Sequence, residues 1–111
     1  MRNITDDSIQ EIVTGIVNEF HPAAIYLFGS RSRGEAQETS DIDLLVISRE
    51  PFTPGRSRQK ELALLWRFVA QYRLPVDLLL YSQKELEEWR LTPGHVIALA
   101  LNEGRELYAA A

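Results

Sequence analysis

The sequence has no cysteine, a single methionine and only two histidines among its 111 residues. Without cysteine there can be no disulfide, no thiolate metal site and no cysteine nucleophile. Any metal must be held by oxygen ligands or by the two histidines. No apolar run approaches the ~18 residues of a membrane span. The start of the chain, with Met1, Arg2, Asp6 and Asp7, offers neither the basic nor the apolar region of a secretory signal. A cytoplasmic protein with no membrane contact is the default expectation. Positive charge is also scarce, with 12 Lys and Arg against 16 Asp and Glu and a net charge of −4. The acids concentrate in residues 1–50, so nucleic-acid affinity driven broadly by net charge is excluded.

What remains is the composition of a globular domain, 45% hydrophobic and 25% charged. A chain of this length folds as one domain, residues 1–111, and buries roughly two-thirds of its unfolded surface. Ile9, Ile12, Val13, Ile16, Val17 and Phe20 recur at helical spacing and predict a helix that Thr5, Asp6 or Asp7 caps and Pro22 stops. Ala23–Phe28 and Ile42–Ile47 are short apolar runs that read as buried strands. After a loop marked by Pro51, Pro54 and Gly55, the residues Leu62, Leu65, Trp66, Val69 and Tyr72 predict a second amphipathic helix, with Trp66 and Tyr72 in the core. Val76–Tyr81 reads as a third strand.

Ser82 and Glu85 form a capping box for a short helix through Arg90, and Thr92 with Pro93 reads as the cap and first residue of another, covering about 95–102. Gly104 closes that helix, and Glu106–Tyr108 supplies a short edge strand. The expected fold class is α/β, a small mixed sheet flanked by helices. The long 49–75 connection sets strands two and three parallel, whereas the relative direction of strands one and two stays open. The run 96–101 is apolar all round its helix, so residues 93–102 are a candidate contact for a partner protein or a second copy.

Three stretches carry chemistry. Gly29-Ser30-Arg31-Ser32-Arg33-Gly34 follows the first strand directly. Its glycines permit a tight turn, its N–H groups and the Ser30 hydroxyl can donate to phosphate oxygens, and Arg31 and Arg33 can neutralise charge. The glycine spacing matches a Walker A loop, but Glu35-Ala36 stands where Lys followed by Ser or Thr is required, so that reading is discarded. In Ser40-Asp41-Ile42-Asp43 the two carboxylates project from one face of a strand. Placing such a pair at the start of an apolar strand costs several kcal/mol unless they share a cation, and oxygen-only ligands favour Mg²⁺ or Mn²⁺. Asp77 is a third acid set early in an apolar strand. If that strand lies beside and parallel to the second, Asp77 reaches the face of Asp41 and Asp43. His21, His95 and the basic run Arg56, Arg58 and Lys60 read as structural or solvated groups.

Gly29-Ser30, ten intervening residues, Asp41-x-Asp43 and then a third strand acid at Asp77 resemble the signature of the DNA polymerase β-like nucleotidyltransferase superfamily. Within it the wording around Phe28–Gly34 and Ser40–Val46 is similar to the minimal nucleotidyltransferases, the MntA-like antitoxins paired with HEPN-domain toxins. The resemblance implies a polymerase β-like fold and ATP as donor. It implies Gly29 and Ser30 on the distal phosphates with Arg31 or Arg33 in support, and Mg²⁺, two ions, held by Asp41, Asp43 and Asp77. It further implies AMP transfer to a tyrosine hydroxyl of the toxin, with Asp77 serving the acceptor oxygen. The alternative is a binding module that neutralises its partner by occlusion.

Overall fold

The computed structural model describes residues 4–29 and 41–110. The order is α1 (Asp6–Phe20), β1 (Ala24–Phe28), β2 (Ile42–Ser48), α2 (Arg58–Val69), β3 (Val76–Ser82), α3 (Gln83–Trp89), α4 (Val96–Glu103) and β4 (Arg105–Ala109), with one 3-10 turn at Ala70–Tyr72 after α2. The four strands form one sheet in the order β3-β2-β1-β4. β1 runs antiparallel to β2 and β4, while β2 and β3 are parallel. The expected mixed sheet is thus present, and the open question of direction resolves as antiparallel. A parallel pair needs a crossover, which α2 supplies between β2 and β3.

Alternation along the strands divides the molecule into two apolar layers. Ile25, Leu27, Ile42, Leu44, Val46, Val76, Leu78 and Leu80 face α1 and α2, whose Ile9, Ile12, Val13, Ile16, Leu65 and Val69 complete the larger core. The opposite face carries Ala24, Leu45 and Ile47 and is covered by Ile97 and Ala100 of α4, with Leu86 of α3 packed alongside. Each helix therefore buries one stripe on one side of the sheet.

Local sequence sets the helix ends. Thr5 and Ser8 form the α1 capping box, the Ser8 N–H donating to Thr5 Oγ1 at 3.0 Å and the Thr5 N–H to Ser8 Oγ at 2.7 Å. Ser82 and Glu85 do the same for α3, at 3.1 and 3.0 Å. Glu85 also accepts from Arg58, tying the start of α2 to the start of α3. Gly104 ends α4 at a close approach: a Cβ there would strike the Ala100 carbonyl and lie 2.7 Å from the Leu27 carbonyl oxygen.

Two expectations need correction. α4 starts at Val96 with His95 as its cap, not at Pro93, because residues 89–95 are taken up by successive turns in which Thr92 N–H donates to Trp89 and His95 N–H to Thr92. His95 Nδ1 accepts from the Ile97 N–H at 3.1 Å while the imidazole stacks on Trp89. Trp66 is 39% exposed and not in the core, whereas Tyr72 does pack against it. The uniformly apolar α4 buries Ile97, Ala98 and Ala100 but leaves Leu99 45% exposed. Arg56 and Arg58 are structural: Arg56 pairs with Glu61 at 3.1 Å, and both guanidinium groups lie over the Phe52 ring. Among the described residues no helix is long and apolar enough to cross a membrane.

Partial burial pushes the Glu85 carboxyl up, but the Ser82 N–H and the Arg58 guanidinium outweigh it and hold Glu85 below its usual value. Stability from this group is therefore fully present above the unfolded value near 4.5 and is lost as pH falls through the lower folded value. Glu85→Gln, which can still cap, is expected to flatten the acid limb of a stability-versus-pH curve measured by urea unfolding. Ser82→Ala is expected to cost about 1 kcal/mol at neutral pH in the same measurement. An acid limb unchanged by Glu85→Gln would place the acid-sensitive contact elsewhere.

Candidate active site

The acids sit where the C-terminal end of β1 meets the N-terminal ends of β2 and β3. The parallel register sets Asp43 directly opposite Asp77, and the antiparallel register sets Asp43 opposite Phe28. In-register residues on neighbouring strands point to the same face and stand about 4.8 Å apart along the hydrogen-bonding direction. Asp43 and Asp77 thus emerge together on the face that α4 covers further along. Asp43 is half-buried and Asp77 is exposed, as is Asp41, which precedes β2 by one residue and Asp43 by two.

Gly29 follows β1 with a φ of +76°, a backbone region open chiefly to glycine. Its position carries a second constraint. A Cβ on Gly29 would collide with Asp43 Oδ2 and lie 3.2 Å from Asp43 Cγ. The missing side chain leaves the space that the Asp43 carboxylate occupies, so the turn and the acid are fitted to one another.

Of the residues singled out in the sequence, the fold brings Gly29, Asp43 and Asp77 to one end of the sheet, with Asp41 at its margin. Ser30, Arg31 and Arg33 lie outside the described residues. Among the described residues no group of three or more His, Cys, Asp or Glu side chains is disposed to hold a metal ion by itself. The three expected ligands thus do not form a closed cage: Asp43 and Asp77 are register neighbours, and Asp41 lies just before β2. That donor set still suits Mg²⁺, which is bound through one or two carboxylates and takes its other ligands from water and substrate phosphates. It is a poor set for Zn²⁺, which prefers nitrogen and sulfur.

A hollow of about 140 Å³ lies beside this turn, lined by Phe28, Gly29, Val96, Leu99 and Glu103. Its signal was present in the spacing of Val96, Leu99 and Glu103 at i, i+3 and i+7, one face of a helix. What the spacing lacked was the knowledge that this face meets the end of β1.

A four-stranded mixed sheet with helices on both faces and aspartates opposed at the strand ends beside a glycine turn has the polymerase β-like nucleotidyltransferase fold. The chain belongs to the nucleotidyltransferase domain family, whose model matches residues 9–105. It is 30% identical over 94 residues to a Methanocaldococcus jannaschii protein provisionally named protein adenylyltransferase MJ1305, a match covering 84% of this chain and 63% of that protein. The chain thus spans somewhat less than two-thirds of that relative's length. Among solved structures, it is similar to a provisionally named nucleotidyltransferase from Sulfolobus solfataricus, with a TM-score of 0.64 and 23% identity over 93% of this chain and 78% of the other. It is also similar to a toxin–antitoxin structure with AMP-PNP (TM-score 0.56, 22% identity, 91% and 73% covered). A mutant MntA–HpeT toxin–antitoxin structure gives a TM-score of 0.54 at 20% identity over the same shares.

Gly29→Ala adds both a positive-φ penalty and a clash with a carboxylate. It is expected to lower stability by about 1–2 kcal/mol, the cost of a left-handed alanine, with an added loss from displacing Asp43. Urea unfolding of Gly29→Ala, Asp43→Ala and the double variant separates the two contributions, since Gly29→Ala in the Asp43→Ala background carries the positive-φ penalty without the clash. A Gly29→Ala protein as stable as the wild type would show that the turn does not need glycine.

Proposed function

We propose that the protein transfers AMP from ATP, with Mg²⁺, to a hydroxyl of a partner protein, in the manner of an antitoxin that modifies a HEPN toxin at a tyrosine. The observation that carries this reading is the Asp43–Asp77 register pair facing the Gly29 turn. Family membership and the name of the relative from Methanocaldococcus jannaschii support nucleotidyl transfer. The likeness to the toxin–antitoxin structures supports a toxin as acceptor.

The chemistry is substitution at the α-phosphorus of ATP: the acceptor oxygen bonds to that phosphorus, the bond to the bridging oxygen breaks, and pyrophosphate leaves. Asp41 and Asp43, with Asp77 on the acceptor side, would hold Mg²⁺, whose remaining ligands come from water and the substrate phosphates. Bound there, the cation supplies charge neutralisation at the α-phosphate and the leaving pyrophosphate. Gly29 lets the backbone approach the distal phosphates, and the Ser30 hydroxyl with Arg31 and Arg33 adds donors and positive charge. Asp77, on the far strand from Gly29, receives the acceptor side of the reaction: its carboxylate orients the hydroxyl and takes up its proton.

This division of labour predicts different phenotypes for two isosteric changes. Asp43→Asn is expected to abolish transfer of label from α-labelled ATP to the partner while the fold stays intact, and to hold or raise metal-free stability by removing one of two repelling carboxylates. Asp77→Asn is expected to bind Mg²⁺-ATP within a few-fold of wild type and to transfer at least ~100-fold more slowly in single-turnover assays, the scale of a lost general base. Wild-type transfer by Asp43→Asn would overturn the assignment, and a wild-type protein that protects the partner without labelling it would mark an occluding module. ATP and Mg²⁺ together are expected to raise the melting temperature by more than the sum of their separate shifts. Purely additive shifts would argue against a shared site.

A further inference from the structure

The hollow beside Gly29 is walled by Phe28 from β1 and by Val96 and Leu99 from α4, with Glu103 on the same helix face. Phe28 is the register partner of Asp43, so the hollow opens one strand away from the candidate catalytic acids. We infer that this hollow receives the nucleobase of the donor nucleotide, with Leu99 as its exposed apolar wall; the inference rests on the nucleotidyl-transfer reading above.

Three observations select a base over the other parts of the reaction. The walls are apolar and aromatic and offer no cation to a phosphate, so the triphosphate has no place there. The acceptor belongs at Asp77 on β3, and the strand order β3-β2-β1 puts two strand spacings, roughly 10 Å, between that acid and Phe28. Gly29 both lines the hollow and forms the turn against Asp43, so a nucleotide whose phosphates lie on that turn has its uncharged end within reach of the hollow. Apolar stacking grows with ring area, which favours a purine over a pyrimidine.

Leu99 is the residue on which to test this, because it is 45% exposed and the core does not depend on it. Calorimetry with Mg²⁺ would compare ATP, CTP and inorganic tripolyphosphate on wild type, Leu99→Gln and Leu99→Met, with circular dichroism on each. Wild type is expected to bind ATP about tenfold more tightly than tripolyphosphate and more tightly than CTP. Leu99→Gln is expected to lose about threefold or more of the ATP advantage with tripolyphosphate affinity unchanged, and Leu99→Met to retain it. Equal affinity of wild type for ATP and tripolyphosphate would overturn the base site while leaving the phosphate site standing, and so would an undiminished ATP advantage in Leu99→Gln. Failure of wild type to bind either ATP or tripolyphosphate would instead overturn the nucleotidyl-transfer reading and the base site with it.

Discussion

The parallel pairing of β2 with β3 is the constraint on which the site depends. It aligns seven residue pairs from Ile42↔Val76 to Ser48↔Ser82, and in that register Asp43 can stand opposite nothing but Asp77. A slip of one residue would turn every β3 side chain to the other face. Asp77 would then point towards the α1 and α2 core and Leu78 would take its place beside Asp43. The apolar alternation of β3 forbids this, since Val76, Leu78 and Leu80 are all buried in that core. Hydrophobic burial thus enforces the meeting of two charges that repel each other.

The two faces of the sheet divide the work. The larger core, built with α1 and α2, anchors the strands, and α2 is also the crossover that makes β2 and β3 parallel. The smaller layer under α4 leaves the strand ends accessible, and there the acids, the Gly29 turn and the apolar hollow lie side by side. Arg58 and Glu85 join the starts of α2 and α3, with the Arg58 guanidinium also lying over the Phe52 and Tyr81 rings. Arg58 opens α2 just after the cap Ser57, where a cation opposes the helix dipole, and the acidic partner on α3 offsets that cost.

Much of the fold was legible because it rests on short-range chemistry. The α1 stripe, the Ser82–Glu85 box and the three apolar strands all follow from periodicity and capping within a few residues. Thr92-Pro93 is a good local initiator for α4, yet Gly94 at φ +81° and the stacking of His95 on Trp89 move the cap three residues on. The spacing of Trp66 predicts a core position, but the face of α2 that meets the sheet is narrower than its apolar stripe, and Leu64 and Trp66 remain outside.

By itself the sequence determined the element types, the crossover that makes two strands parallel, and the identities of Gly29, Asp41, Asp43 and Asp77, because helical and strand periods and the placing of acids among apolar residues are one-dimensional facts. Tertiary structure decided which of these meet. The antiparallel return of β1, the opposition of Asp43 to Asp77, the fit of the Asp43 carboxylate into the space Gly29 leaves, and the hollow between Phe28 and α4 all join residues distant in the chain. Their positions follow from strand register and helix packing, which depend on burying both faces of the sheet at once, a condition that no local stretch of sequence can express.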